Sequence, residues 1–290
     1  MRSAGFPNLR FRCRGLALVM VLWIVAALSL MVMSLSQTVR QQIQITAGVS
    51  EQVNARALAS GAIALALQQM KLKAGNIQRI VTLPVEYAGT NVSVQVMPLN
   101  GLISLNTAST AMFMTLLHVA GGLSAPQAAR MAQDIVDWRA GRSGDPTRHT
   151  ASRTFESAQD LLQMPGMTYA LYERLSPLVT ADTYHQSSVN PLAAPLSVLT
   201  VLTHGNTHIA ARIARHRDAG DDTVDLTGLD GSLAQMGATS FYRLTARVAL
   251  DAGRIFSLSH DVALSGVPLL AAPWRTLRTQ WQIQPASPEV

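Results

Sequence analysis

Cysteine is almost missing from this chain of 290 residues: the single thiol, Cys13, lies close to the N-terminus. One cysteine excludes an internal disulfide and a cysteine-based zinc site. Aromatic residues make up only 5% of the chain and charged residues 14%. Such a composition does not suit a solvated, intrinsically disordered chain, because 48% of the residues are hydrophobic. The formal net charge of +6 invites a nucleic-acid reading. Four of the 23 basic residues, Arg2, Arg10, Arg12 and Arg14, and none of the 17 acidic ones fall in the first fifteen positions. That leaves 19 basic against 17 acidic residues, about +2, too weak an electrostatic footprint for phosphate backbones. No nucleophile elbow, P-loop or dinucleotide fingerprint is present, so the sequence proposes no enzyme.

What the chain does have is one long uncharged run. No charge occurs from Leu16 through Val39, and residues 16–35 read LALVMVLWIVAALSLMVMSL. About 20 residues at ~1.5 Å each match the ~30 Å hydrocarbon thickness of a bilayer. The arginines lie on its N-terminal side, so the positive-inside bias keeps residues 1–15 cytoplasmic and sends the remainder across the membrane. Gly15 stands before the apolar run. A secretory cleavage site follows its apolar core instead. Cutting between Gly15 and Leu16 would remove the basic leader and leave the helix attached.

Beyond the run, residues 40–74 continue a helical pattern, with Ile43, Val53, Leu58, Ile63 and Leu67 as a candidate buried stripe and Gly75-Asn76 as a stop. Two short alternating segments follow, VTLPVEY and TNVSVQVMPL, joined at Ala88-Gly89. Alternation returns near the C-terminus, at Tyr242, Leu244, Ala246, Val248 and Leu250. A loop at Asp251–Arg254 leads to IFSLSHDVAL, and WRTLRTQWQI reads as one more strand. The sheet is thus split by a helix-rich stretch. Within that stretch is a faint repeat: Ile103–Ala108, Leu116-Leu117, Ala129-Arg130-Met131, and then Val189-Asn190, Ala194-Pro195, Val198-Leu199, Ala211-Arg212-Ile213. In each copy an Asn-led turn is expected to cap a helix. Between the copies, Pro165-Gly166 separates two amphipathic turns.

The leader resembles those of the prepilin and pseudopilin superfamily. The fuller set of motifs resembles the minor pseudopilin K family of type II secretion systems (general secretion pathway protein K). These motifs are Arg14–Leu18 with Val21-Leu22-Trp23, Leu105-Asn106-Thr107-Ala108, Ile135–Arg139, Met164–Thr168, Leu171-Tyr172, Val179-Thr180 and Val189-Asn190-Pro191. The resemblance implies an α+β fold, with a transmembrane helix, a pilin-like domain containing an antiparallel sheet, and a large inserted helical domain. The expected boundaries are 1–15 for the leader, 16–35 for the span, 36–104 for the first part of the pilin-like domain, 105–230 for the insert and 231–290 for the closing strands. It further implies cleavage by prepilin peptidase between Gly15 and Leu16 and N-methylation of Leu16. The expected partners are minor pseudopilins I and J at the tip of a periplasmic pseudopilus, with pseudopilin H and the major pseudopilin G. The family's usual fifth mature residue is Glu; here it is Met20. A carboxylate buried in lipid needs a partner from a neighbouring subunit, so Met20 marks a subunit with no neighbour beyond it.

No cofactor is expected, with calcium the one in question. After Asp137-Trp138 the family has further acids, whereas this chain supplies only Asp137 and Asp145 nearby. Ca²⁺ takes six to eight oxygens. The remaining candidate is the cluster Asp218, Asp221, Asp222, Asp225 and Asp230, weighed against a solvated loop. His204 and His208 have helical metal-ligand spacing, but Gly205-Asn206 interrupt them, which favours surface or capping roles. The alternative function is a membrane-anchored helix-hairpin-helix protein that binds DNA through the Pro165-Gly166 turn. Thr168 stands where such modules carry a second glycine, and the apolar flanks favour packing over phosphate contact.

Overall fold

The computed structural model describes residues 14–72, 77–141, 153–182, 187–220, 223–264 and 273–285; within the first helix, the side chains at 14–17, 32 and 34–47 are outside the description. The chain divides into two units, residues 1–54 and 55–290. Helix α1 is assigned from Arg14 to Leu72. In the first unit its described apolar side chains are exposed, from Leu18 at 71% to Trp23 at 74% and Met31 at 71%. Among the described residues no helix is long and apolar enough to cross a membrane. The span expected at 16–35 is therefore not shown; its described core, 18–31, is helical and bare. The side chain of Ile43 and residues Gly75-Asn76 lie outside the description.

The second unit holds two hydrophobic clusters. One is built on a five-stranded antiparallel sheet of β1 (Val81–Tyr87), β2 (Thr90–Pro98), β5 (Phe241–Leu250), β6 (Arg254–Leu264) and β7 (Trp274–Pro285), in that spatial order. The β1–β2 turn at Ala88-Gly89 has φ of 51° and 73°. Two successive positive φ values characterise the tight hairpin turn whose twist matches that of the strands. Alternation then sorts the faces. Val85, Val92, Val94, Val96, Tyr242, Leu244, Ala246, Phe256, Leu258 and Val262 are buried with Ala55, Ala59, Ala62, Ile63, Ala66, Leu67 and Met70 of α1.

That helical stripe differs from the expected one. Ile63 and Leu67 are buried, Leu58 is half-buried and Val53 is 60% exposed. Alanines at positions 55, 59, 62 and 66 supply the rest. Their spacing of three and four keeps them on one face of the helix. Their small size brings the helix backbone close to the sheet, which a search for large apolar residues overlooks.

The second cluster draws on residues from Leu99 to Leu233. It contains β3 (Ile103–Ser104), α2 (Thr110–Val119), α3 (Ala125–Arg139), α4 (Tyr169–Leu175), β4 (Val179–Thr180), α5 (Leu196–Leu202) and α6 (Thr207–Asp218). Strands β3 and β4 pair in parallel, and Phe113, Phe155, Leu116 and Leu117 are among its fully buried side chains. Helical pairs α2/α3 and α5/α6 realise the repeat, but the Asn-led turns do not cap them. Ser109 caps α2, accepting from Met112 N, and Pro195 stands before α5 with no side-chain cap.

Candidate functional site

Both repeat asparagines, Asn106 half-buried and Asn190 buried, serve instead as clasps. Asn106 Nδ2 donates to Phe155 O at 3.0 Å and Ala181 O at 2.8 Å, while its Oδ1 accepts from Phe155 N at 2.8 Å. Asn190 Nδ2 donates to Gln78 O at 2.9 Å, and its Oδ1 accepts from Leu192 N at 3.1 Å. Asn100 adds a bond to Gly237 O at 2.9 Å. An Asn amide offers a donor and an acceptor together, which suits loop backbone with no ladder partner. The second helix of each pair also carries, in its last turn, an arginine that returns to the turn before the first helix. Arg139 donates to Ala108 O at 3.0 Å, and the buried Arg217 donates to Ala194 O. Burial lowers the Arg139 pKa from its ordinary value.

The strongest electrostatic feature lies on the sheet face opposite α1. The β5–β6 register sets Arg243 against Asp261. Arg243 Nε and Nη2 donate to the two Asp261 oxygens at 2.6 and 2.8 Å. Asp261 is 2% exposed. Burial works against the Arg243 charge, but the hydrogen bonds and charge of Asp261 outweigh it and raise the guanidinium pKa. Arg278 on β7 reaches both Asp261 and Asp182, each at 3.8 Å, so the row continues to the connection after β4. Burial raises the Asp182 pKa, and the positive charge of Arg278 opposes the shift. On the α1 side of β6, burial lowers the His260 pKa; nearby Asp261 opposes this and Arg56 adds to it. The sequence reading missed this row. The hairpin loop at 251–253 fixes the register, and from it the Arg243–Asp261 pairing could have been found.

Gly15 and Leu16 are helical, with side chains outside the description, and Met20 is 69% exposed. The acidic candidates are not drawn together among the described residues. Asp218 pairs with Arg217 Nε at 2.8 Å. Asp225 lies 3.4 Å from Arg212, and its pKa is lowered by hydrogen bonds from Thr227. Asp230 faces His204 at 3.2 Å and is lowered by hydrogen bonds from Ser232. Asp221, Asp222 and Asp145 lie outside the description. Among the described residues no group of three or more His, Cys, Asp or Glu could hold a metal ion. His204 and His208 are exposed.

At Pro165-Gly166 the first flank is a 3-10 turn, Ala158–Gln163, and the second is α4. Gly166 has φ of +81°. The turn's amides are used internally: Met167 N donates to Met164 O at 3.2 Å and Leu171 N to Thr168 Oγ1 at 3.2 Å. These donors are not presented to a phosphate.

No family model matches the chain, and no curated protein matches it. Among solved structures it is similar to a chain of the GspK-GspI-GspJ complex of the type 2 secretion system from enterotoxigenic Escherichia coli. The identity is 14% and the TM-score 0.47, over 84% of this chain and 98% of that one. At that level the likeness identifies neither activity nor partners.

Proposed function

We propose that the chain is a membrane-anchored minor pseudopilin K-type subunit of a type II secretion system. It sits at the tip of the periplasmic pseudopilus, where it supports pseudopilus assembly and the export of folded proteins across the outer membrane. The observation that carries this reading is the architecture of the second unit. An antiparallel sheet packs on the C-terminal part of α1 and is interrupted between β2 and β5 by a helical cluster. The leader supports it, because an Arg-Gly boundary precedes an uncharged run long enough to span a bilayer.

In this reading residues 16–35 anchor the chain in the inner membrane, with the N-terminus cytoplasmic and the bulk periplasmic. Prepilin peptidase cuts between Gly15 and Leu16, and Leu16 becomes the methylated N-terminus. Met20 avoids burying an unpaired carboxylate at an end of the filament. The partners are minor pseudopilins I and J, with H and the major pseudopilin G, and no nucleic acid. No cofactor is part of this reading; were calcium to bind, Asp218, Asp221, Asp222 and Asp225 would be its ligands.

The test is expression of the full chain with prepilin peptidase and tagged pseudopilins I and J. N-terminal sequencing should find Leu16 first, Gly15→Glu should retain the leader, and I and J should co-purify with the mature chain. A mature chain that starts elsewhere and lacks the apolar run, or a failure to co-purify, overturns the proposal.

A further inference from the structure

The two edges of the five-stranded sheet are built differently. Strand β1 has Pro84 in its middle and the exposed Glu86 two residues on. Proline offers no N–H to an added strand, and a charge on an edge repels hydrophobic pairing; both are common ways of blunting an edge. Strand β7, the other edge, has no such device along 279–284, where it reads Thr-Gln-Trp-Gln-Ile-Gln. Those six residues are exposed, including Trp281 at 51% and Ile283 at 37%. Trp281 stacks on the buried Phe256 of β6 with ring centroids 6.1 Å apart, so its position is set from within the fold. Gln280, Gln282 and Gln284 occupy the alternate positions. An uncharged, alternating, proline-free edge segment is a template for another strand.

We propose that the edge of β7, unpaired among the described residues, is a docking site for an extended segment of another protein, which adds antiparallel to it as a sixth strand. Two features specify the partner. Apolar side chains at alternate positions would lie beside Trp281 and Ile283, as cross-strand pairing requires. Strand β7 carries Arg275 near its N-terminal end and no acidic residue, while its Arg278 is already engaged by Asp261 and Asp182. The segment therefore ends in acids that meet this basic end, where Arg275 is exposed. The inference does not depend on the secretion-system reading.

The test uses the full chain, detergent-solubilised, and the labelled peptide acetyl-Thr-Val-Thr-Val-Thr-Val-Asp-Glu-amide, read by fluorescence anisotropy. Two controls are a peptide ending in Lys-Lys and one with the same residues in an order that breaks the alternation. The acidic alternating peptide should bind roughly tenfold more tightly than the Lys-Lys peptide, the difference shrinking in salt. Gln282→Pro and Ile283→Pro probe both phases of the backbone ladder; one of them should abolish binding while circular dichroism shows a folded chain. Should both unfold the strand, Trp281→Lys provides a variant without backbone change and should weaken binding at least tenfold. Equal binding of all three peptides, or binding unaffected by Trp281→Lys, overturns the proposal. So does concentration-dependent self-association of the chain that Trp281→Lys abolishes, since that assigns the edge to a second copy.

Discussion

The two clusters of the second unit solve the backbone hydrogen-bonding problem in opposite ways. The sheet cluster satisfies its backbone in ladders, and its side chains are left to alternate between an apolar face and a polar one. The helical cluster has short helices, two two-residue strands and long connections. Its turns are held by Asn106, Asn190, Arg139 and Arg217, which donate to carbonyls far away in sequence. A sheet therefore tolerates change in any one polar side chain unless that residue is a buried charge. The helical cluster is most sensitive at a handful of amides that no hydropathy pattern marks.

The sharpest way to break this contrast is at the Arg243–Asp261 pair of the sheet. Arg243→Met should destabilise the fold by about 3–5 kcal/mol in denaturant titration, because Asp261 is left buried with only the more distant Arg278 opposite it. The double variant Arg243→Met/Asp261→Leu should recover most of that loss, since an apolar pair of similar volume has no charge to desolvate. A double variant as unstable as the single would show that the pair organises the face in a way apolar packing cannot replace.

Next in size is the helical cluster's own test. Asn106→Ala removes two donors and one acceptor from the backbone of Phe155 and Ala181 and should cost about 1–3 kcal/mol. Asn106→Asp keeps the acceptor but loses both donors, so it should lie at least as low as Asn106→Ala above pH 5. An equal cost for Thr245→Ala, which removes the sheet's half-buried Thr245–Ser259 bond at 2.9 Å, would erase the contrast. A change of about 1 kcal/mol or less is expected there.

The same contrast explains what was legible in the sequence. Four of the five sheet strands fall where alternation placed them, WRTLRTQWQI forms the fifth, and Ala88-Gly89 marks its turn, because period two and turn chemistry are local signals. The helix stripe was half legible: Ile63 and Leu67 stand out, but Ala55, Ala59, Ala62 and Ala66 do not. Ala62→Leu should cost about 1–3 kcal/mol, since the closely approached sheet has no room for three further carbons. The repeat in the helical cluster was visible as words, while the use of its asparagines was misread. An Asn before a helix signals a cap locally, and only the fold shows that Phe155 and Gln78 need the amide more. Of the candidate site, the leader rests on length and charge order alone, since residues 1–13 lie outside the described residues. The row Arg243–Asp261–Arg278–Asp182 was not, since it requires a register across three strands and the connection after β4.

The smallest expected effects are on pH dependence, and they have opposite signs in the two clusters. Burial raises the folded-state pKa of Asp182, so the fold disfavours its ionised form; this contribution should improve stability as pH falls through the carboxylate range. Burial lowers the folded-state pKa of His260, so the fold prefers neutral imidazole and its contribution is lost as pH falls through about 6.5. Melting temperatures between pH 8 and pH 4 should therefore show a decline near neutrality that His260→Gln flattens. Asp182→Asn should leave that decline in place and raise stability slightly at pH 7, where the native carboxylate is charged. A decline unaffected by His260→Gln would mean that the neighbouring Asp261 balances burial and Arg56, so that the fold does not discriminate between imidazole and imidazolium.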